Sequence, residues 1–411
     1  MKPIGPIPAD FVPRAGRLAI GGETAESLVA RAGDTPLFVY DMDVVERRVA
    51  RFRAAFPGID LHYALKANPF VELVKGIAPL VDGIDVASIG EALVALGAGV
   101  TPDCLSFAGP GKRDSELELA IGQSVPINLE SEGEAERVLA IAARLDKTPQ
   151  LAVRVNPDFE LRGSGMRMGG GAKPFGVDAE RVPALVRRLV AAGAAFRGFH
   201  IFAGSQSLDA DAIIEAQAAT IALAARLSDA AGVQPRRLNL GGGFGIPYFG
   251  GDQVLDVERI GAALVEAYEA RPAVLRETGF CLELGRWLVG EAGVYLTRIV
   301  DRKESGGQIF LIVDGGLHHQ LAASGNFGTV VRRNYPIAVA DRFGAEPEET
   351  VNVCGCLCTP LDRLGDQVAL PHAKVGDLIA IFLAGAYGAS ASPSTFLGHG
   401  PARELLVRAS D

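Results

Sequence analysis

Cysteine is scarce in this sequence, with five residues among 411, and tryptophan occurs once. An odd, low cysteine count in so long a chain argues against a disulfide framework and favours a reducing cytoplasm. Long apolar runs are also missing, because the longest candidate, around Leu378–Ala386, is about half a membrane-spanning length and contains glycine. The proline-rich segment Met1–Arg14 lacks the features of a signal peptide. We therefore expect a cytoplasmic protein without a membrane segment.

Positive charge is in deficit, since 40 lysines and arginines face 49 acidic residues and the net charge is −9. This balance argues against nucleic acid or an acidic membrane surface as the main partner. With 48% apolar and 22% charged residues, the composition is typical of a folded globular protein. A length of 411 residues favours two domains.

Strand-like runs alternate with alanine- and leucine-rich helical stretches between about residues 35 and 285. Such alternation predicts a parallel sheet. Eight units over roughly 250 residues match an α/β fold of the closed (β/α)8 TIM-barrel type. A doubly wound open sheet is the alternative on pattern alone. The predicted strands are Leu61–Ala64, Gly83–Val86, Cys104–Ala108, Pro126–Leu129, Ala152–Val155, Gly198–Phe202, Leu238–Leu240 and Cys281–Leu284.

The pattern changes from about Trp287 onward. Short β-branched runs such as Gln308–Asp314, Thr350–Cys354 and Leu378–Leu383 are broken by glycine, proline and aspartate, which predicts a C-terminal β domain, a small barrel or a sandwich. We place the barrel at residues 35–280, and the β domain at residues 1–34 together with 281–411.

Barrel enzymes carry their catalytic groups at the C-terminal ends of the strands. Lys66 follows the first predicted strand, where partial burial would lower its pKa as an imine-forming amine requires, although an exposed loop lysine is the simpler interpretation. Gly241, Gly242 and Gly243 follow the seventh strand, where their backbone N–H groups could surround an anion. A tight turn is the alternative there. A dinucleotide site fits poorly, because Pro247 follows and no helix opens.

The eighth strand ends in Glu283 and Arg286, which could bind a protonated pyridine nitrogen and a phosphate, or could form a structural salt bridge. His200 at the end of the sixth strand could lie flat against an aromatic ring, although most lone histidines are structural.

In their order and spacing these residues resemble the group III pyridoxal-phosphate-dependent decarboxylases, which include diaminopimelate, ornithine and biosynthetic arginine decarboxylases. The resemblance covers about residues 35–407. The motifs that carry it are Tyr63–Asn68, Asp85–Ser88 with Glu91, Gly241–Gly243, Glu283–Arg286 and Gly385–Gly388.

The resemblance implies an alanine-racemase-like fold, pyridoxal 5'-phosphate as cofactor, removal of the α-carboxylate of an amino acid, and a head-to-tail homodimer with shared sites. It implies that Lys66 binds the cofactor covalently, that His200 stacks on the pyridine ring, and that Glu283 pairs with the ring nitrogen. The phosphate would be surrounded by Ser205, Gly241, Gly242, Gly243, Arg286 and Tyr387, with Asp85 and Arg154 as support near the lysine. Cys358 would reach across the dimer and protonate Cα after carbon dioxide leaves.

Two other functions remain open. Alanine racemases share this barrel but place an arginine against the pyridine nitrogen, so Glu283 favours a decarboxylase over a racemase or epimerase. A non-catalytic pyridoxal-phosphate-binding protein would resemble the barrel alone, whereas this chain carries a second domain with Cys358.

Cys354, Cys356 and Cys358 alternate, so a strand would place all three on one face. A metal cluster is an alternative, but the spacing is not a usual zinc pattern. We therefore predict no metal site and assign Cys354 and Cys356 to packing.

The chain departs from its family pattern where the substrate side chain would bind. Family members that act on diamino acids follow the catalytic cysteine with an acidic residue, whereas Thr359 and Pro360 follow Cys358 here and the next acid is Asp362. An ammonium in a dry pocket needs a countercharge. The spacing from His200 to Ser205 is also two residues longer than expected, which could shift either residue from its role.

The segment 327–335, which contains Arg332, is altered from the arginine- and tyrosine-rich segment by which diaminopimelate enzymes hold a distal carboxylate. The tail at 392–400 offers an apolar pair and a histidine in place of a charged clamp. These features resemble the subgroup associated with exopolysaccharide export or exosortase gene clusters and with carrier-tethered amino acids. We predict a bulky or neutral anchor on the substrate, such as an acyl-carrier-protein thioester. The candidate substrate-binding residues are Arg332, Thr359 and Asp362.

Overall fold

The computed structural model describes residues 1–159, 166–167, 171–326 and 332–409, and these form two compact units. The barrel unit comprises Val49–Gly245 and Leu255–Gly285. The β unit comprises Met1–Arg48, Ile246–Val254 and Arg286–Asp411. This division differs from the predicted boundaries: residues 35–48 and 246–254 group with the β unit, and residues 281–285 group with the barrel.

Eight parallel strands form the barrel, and the predicted fold class is confirmed. Each strand overlaps its predicted range. The eighth strand pairs with the first and the fourth pairs with the fifth, so the sheet closes and the open doubly wound alternative is wrong. The strands are β1 (Asp60–Ala64), β2 (Gly83–Val86), β3 (Leu105–Phe107), β4 (Ile127–Leu129), β5 (Gln150–Asn156), β6 (Ala195–Ile201), β7 (Arg237–Asn239) and β8 (Gly279–Leu284).

Local sequence explains where several barrel helices begin. The side chains of Ser88, Ser131, Asp209 and Asp256 each accept a hydrogen bond from a backbone N–H in the first turn of the following helix. None of the helices in the described ranges is both long and apolar enough to cross a bilayer. The helices are Met42–Ala55, Val71–Ile77, Ile89–Gly97, Asp114–Gly122, Glu132–Leu145, Val182–Ala191, Ala210–Ala231 and Val257–Glu269.

The β unit is built on a mixed sheet in which Leu37–Asp41 is a central strand. That strand pairs antiparallel with Gly293–Ser305 and parallel with Arg403–Val407, which explains why residues 35–48 belong to this unit. The other strands of this sheet are Gln308–Val313, Ile337–Val339, Glu349–Cys354, Arg363–Leu370 and Leu378–Ile381. The unit also contains a small sheet of Pro13–Arg14, Arg17–Ile20 and Glu23–Thr24, and the helices Ala25–Ala32 and Arg286–Val289.

Gly261 marks a close approach between two barrel helices. A Cβ at this position would overlap the carbonyl oxygen of Ala55 and lie 2.8 Å from its carbonyl carbon. We expect Gly261→Ala to lower the free energy of unfolding by about 1–3 kcal/mol, because the helix must shift to accept the methyl group. Thermal unfolding followed by circular dichroism measures the change.

Gly97→Ala is the matched control, because a Cβ at this helical glycine meets nothing within 4 Å. We expect this variant to be as stable as the wild type or to gain up to about 1 kcal/mol from helix propensity. Equal unfolding midpoints for the two variants would show that a methyl group at position 261 fits between the two helices without loss of stability.

Candidate active site

Lys66 lies in a single 3₁₀ turn, Leu65–Ala67, directly after β1. The turn is fixed by the Tyr63 hydroxyl, which donates a hydrogen bond to the carbonyl oxygen of Asn68 at 2.8 Å. Leu65 and Ala67 take the buried positions of the turn, so the Lys66 side chain is exposed and its predicted partial burial is wrong. Its Nζ lies 5.3 Å from the centroid of the Phe202 ring.

His200 and Glu283 form the buried centre of the barrel mouth, with exposures of 3% and 7%. The imidazole Nε2 lies 3.2 Å from a carboxylate oxygen of Glu283. Neither ring nitrogen of His200 has a hydrogen-bond partner among the described residues, so the contact with Glu283 is electrostatic. Burial opposes ionisation of Glu283, but His200 and Lys66 outweigh it and lower the pKa of Glu283 to about 2.

Asn239, at the end of β7, connects several predicted site residues. Its amide nitrogen donates to Glu283 at 3.1 Å and lies 3.5 Å from Asp85. Its amide oxygen accepts the backbone N–H of Gly241 at 2.8 Å. Asp85, which the resemblance assigns as support near the lysine, contacts Asn239 and His62 and pairs with Ala64, two residues before Lys66. Sequence reasoning missed Asn239, and the only signal was its position two residues before the glycine run.

The three glycines after β7 are required by backbone geometry. Gly241 and Gly243 have φ values of +70° and +86°, and a Cβ on Gly242 would overlap the carbonyl oxygen of Glu283. Glu283 donates its backbone N–H to the carbonyl oxygen of Gly241 at 2.9 Å. The loop therefore lies against the end of β8 without side chains of its own.

Ser207, rather than Ser205, contacts this glycine loop. The backbone N–H of Ser207 donates to the carbonyl oxygen of Gly243 at 2.9 Å, and Gly245 donates to the carbonyl oxygen of Ser207 at 2.8 Å. Ser205 lies in a short strand that pairs with Met166. The longer spacing after His200 therefore leaves that histidine in the barrel mouth and brings a later serine to the loop.

Arg154, on β5, is fixed by a buried carboxylate that sequence reasoning missed. Its guanidinium lies 2.9 Å from Glu130 and 5.0 Å from the centroid of the Phe175 ring. Glu130 also accepts the backbone N–H groups of Gly109 and Gly176, at 2.7 and 2.8 Å. Despite burial, the adjacent Arg154 lowers the pKa of Glu130, so the carboxylate stays charged and holds three segments together.

In the β unit, Arg286 is surrounded by tyrosines. It donates a hydrogen bond to the Tyr248 hydroxyl at 2.6 Å and lies 4.7 Å from the centroid of the Tyr387 ring. Tyr387 has a φ of +55°, and Tyr335 packs 5.0 Å from Tyr248. Within the described ranges no carboxylate pairs with Arg286. A guanidinium with neutral partners keeps its charge for an anion such as phosphate.

Cys358 is exposed on the loop after Glu349–Cys354. Thr359, next in the chain, accepts the backbone N–H of Leu361 at 3.4 Å. Asp362 accepts the backbone N–H groups of Leu317 and Leu357 at 2.7 and 2.9 Å, one on each carboxylate oxygen. The Asp362 carboxylate is buried and fixes the loop, and its substrate-binding role stays a prediction.

Arg332, the remaining candidate for substrate binding, donates to the carbonyl oxygen of Leu361 at 3.3 Å. Burial, with a contribution from Arg363, lowers its pKa. The preceding part of the predicted substrate segment, residues 327–331, lies outside the described residues.

Comparison with known proteins gives consistent matches. Residues 42–290 match the family model described as pyridoxal-dependent decarboxylase, pyridoxal binding domain. The chain is 38% identical to L-glutamyl-[BtrI acyl-carrier protein] decarboxylase of Niallia circulans, over 91% of this chain and 89% of the relative. It is 33% identical to diaminopimelate decarboxylase of Methanothermobacter thermautotrophicus, over 96% and 91%. The structure of diaminopimelate decarboxylase from M. jannaschii in co-complex with L-lysine superposes with a TM-score of 0.87 at 26% identity, covering 97% and 92%.

The position of Asn239 between two carboxylates gives a test of the site geometry. Asn239→Asp keeps the shape but replaces the donor with a third acid beside Asp85 and Glu283. We expect a loss of about 1–3 kcal/mol of stability at neutral pH, because a buried hydrogen bond is replaced by repulsion. The new carboxyl would have a raised pKa, so the loss should shrink as the pH falls and the group takes up a proton.

Asn128→Asp is the control, since this buried asparagine donates to the Ser106 hydroxyl. Thermal unfolding of both variants at several pH values separates the effects. The same pH-dependence in both would mean that Asn239 does not connect the two carboxylates.

Proposed function

Because the chain belongs to the pyridoxal-dependent decarboxylase family and is a pyridoxal-phosphate-dependent amino-acid decarboxylase, we propose that it acts on an amino acid held as a thioester on an acyl carrier protein. The relative at 38% identity that acts on a carrier-bound glutamyl group is the observation that carries this proposal. The family membership also favours decarboxylation over the racemase and non-catalytic alternatives.

The residues of the barrel mouth fit the cofactor. When bound, pyridoxal phosphate draws into its ring the electrons that remain on Cα after carbon dioxide leaves. The Glu283 carboxylate, ionised because its pKa is about 2, suits a protonated ring nitrogen. The imidazole of His200, buried and without a hydrogen-bond partner in the described structure, would stack on the aromatic ring of the cofactor. Lys66 provides an exposed amine for covalent attachment.

The phosphate assignments rest on two separate observations. The loop Gly241–Gly243 offers backbone without side-chain obstruction. Arg286 offers a guanidinium whose neighbours are uncharged tyrosines, among them Tyr387. We retain Ser205 as a candidate and add Ser207, because the backbone of Ser207 contacts the loop. Asp85 and Arg154 would act by fixing their neighbours.

The loop around Cys358 supports a substrate without a distal ammonium. Thr359 and Pro360 follow the cysteine, and both carboxylate oxygens of Asp362 are engaged by backbone N–H groups. Arg332, which donates to the same loop, adds positive charge. These residues expose no carboxylate to a distal ammonium, because Asp362 is buried, whereas a thioester is neutral and needs no countercharge.

The remaining parts of the proposal concern assembly and location. We propose a homodimer with shared active sites in which Cys358 donates the proton to Cα, and a cytoplasmic location. The exposure of the Cys358 thiol in the isolated chain is consistent with a role toward a second subunit.

The substrate proposal predicts a preference for a loaded carrier. We expect kcat/KM for L-glutamyl-acyl-carrier-protein to exceed that for free L-glutamate or diaminopimelate by at least about 100-fold, since contacts remote from the reacting carbon lower the barrier. Release of carbon dioxide from each substrate at equal enzyme concentration measures the difference. Faster turnover of free diaminopimelate than of the loaded carrier would reject the proposal.

The role proposed for Cys358 predicts a selective defect. We expect Cys358→Ala to keep the absorbance of the bound cofactor and to lose about 10²- to 10⁴-fold in kcat, because a positioned proton donor contributes that much. Cys354→Ala removes the thiol four residues earlier and should leave kcat near that of the wild type. Equal losses in both variants would assign Cys358 a structural role.

A further inference from the structure

Three side chains of the β unit bring metal-ligating atoms close together, and none of them is among the proposed cofactor- or substrate-binding residues. One nitrogen each of His318 and His399 and the thiol sulfur of Cys356 all lie within 4.8 Å of one another. The sulfur is 3.8 Å from Nδ1 of His399. A tetrahedral zinc ion with nitrogen and sulfur ligands holds those atoms about 3.5 Å apart, so small side-chain movements would suffice. These distances make Cys356 a candidate ligand as well as the packing residue that the sequence predicts.

His318 gives an independent sign that a ligand belongs at this position. Its side chain is 0% exposed, and neither ring nitrogen has a hydrogen-bond partner in the part of the chain that the structure describes. Buried polar atoms without partners are costly, and most are satisfied in native proteins. Weak packing of Cys356 against His399 would leave both nitrogens of His318 unexplained, whereas coordination of an ion would use one of them.

Asp362 fixes the first two ligands relative to each other. One oxygen accepts the backbone N–H of Leu317, the residue before His318. The other oxygen accepts the backbone N–H of Leu357, the residue after Cys356. The carboxylate therefore holds together the segment that carries the buried His318 and the segment that carries the half-buried Cys356.

His319 fixes the third ligand in the same manner. Its Nδ1 lies 3.0 Å from the Tyr295 hydroxyl, and its Nε2 lies 2.9 Å from the carbonyl oxygen of Gly400. Gly400 directly follows His399, so the tail that carries the third ligand is held beside the segment that carries the first. Such outer contacts orient metal ligands in known sites.

We propose that His318, Cys356 and His399 form a binding site for Zn²⁺ or a chemically similar divalent transition metal. One thiolate and two imidazoles are ligands that suit zinc, and three protein ligands leave a fourth position for water or another group. The proposal depends only on these residues and does not require the proposed substrate.

Metal binding by the purified holoenzyme tests the site. After treatment with a chelator, the protein is titrated with Co²⁺ while absorbance is recorded, and then with competing Zn²⁺. We expect one ion per chain and a thiolate-to-cobalt charge-transfer band. Cys356→Ser and His399→Gln should each weaken binding by at least about 100-fold, since loss of an outer-shell partner alone costs up to that much.

Two matched variants serve as controls. Cys354→Ser removes a nearby thiol, and His372→Gln removes an exposed histidine of the same unit that lies 3.3 Å from Glu349. Both should bind Co²⁺ as the wild type does. Cofactor absorbance confirms that each variant is folded. The proposal is overturned if the wild type binds no ion, or if the controls lose as much affinity as Cys356→Ser and His399→Gln. This experiment does not measure decarboxylase activity, so its outcome for the metal site is independent of the proposal for the carrier-bound substrate.

Discussion

The pairing of β8 with β1 is the constraint on which the barrel site depends. This pairing sets Glu283 opposite His62 and Leu284 opposite Tyr63, and it closes the sheet. Closure brings the ends of eight strands to one mouth, so Lys66, His200 and Glu283 meet although they lie far apart in sequence. The same closure leaves the carboxylate of Glu283 buried, where an isolated charge would be unstable.

Buried charge in this mouth is stabilised by partners of different kinds. Glu283 has the imidazole of His200 and the amide of Asn239, and Glu130 has Arg154 and two backbone N–H groups. Removing one partner from such a group lowers the stability of the fold by more than the net stabilisation that the pair provides, because the remaining charge stays buried. The ionised state of Glu283 is therefore maintained despite burial by the partners that the folded barrel supplies. It is also the state that a protonated pyridine nitrogen requires.

The reactive side chains of the β unit lie on loops that are fixed by hydrogen bonds from backbone N–H groups. Asp362 engages both of its oxygens in this way, so the acid nearest to Cys358 is structural and the cysteine itself stays exposed. This arrangement keeps the one acidic side chain of residues 355–363 buried, so the loop exposes no carboxylate to a distal ammonium. It also aligns Cys356 with His318, which links the proposed metal site to the same loop.

The sequence by itself determined the eight strands and the family motifs, and it favoured the closed barrel that the strand pairing confirmed. These depend on short-range periodicity and on residues such as Lys66 and Gly242 that must occupy strand ends or tight turns. Local pattern could not reveal Asn239, whose partner Glu283 is 44 residues away, or the approach of Cys356 to His399 across 43 residues.

Local pattern offered Asp362 as a substrate-binding candidate, but it could not show that the N–H group of Leu317, 45 residues away, donates to its carboxylate. The burial of Lys66 was predicted wrongly, because which side of a turn is covered depends on neighbours brought by folding. The type of chemistry that the site performs could therefore be predicted from the types of its residues and their order in the chain. The partner that each polar group meets was decided only by the tertiary structure, since hydrogen bonds and burial join segments that are distant in the chain.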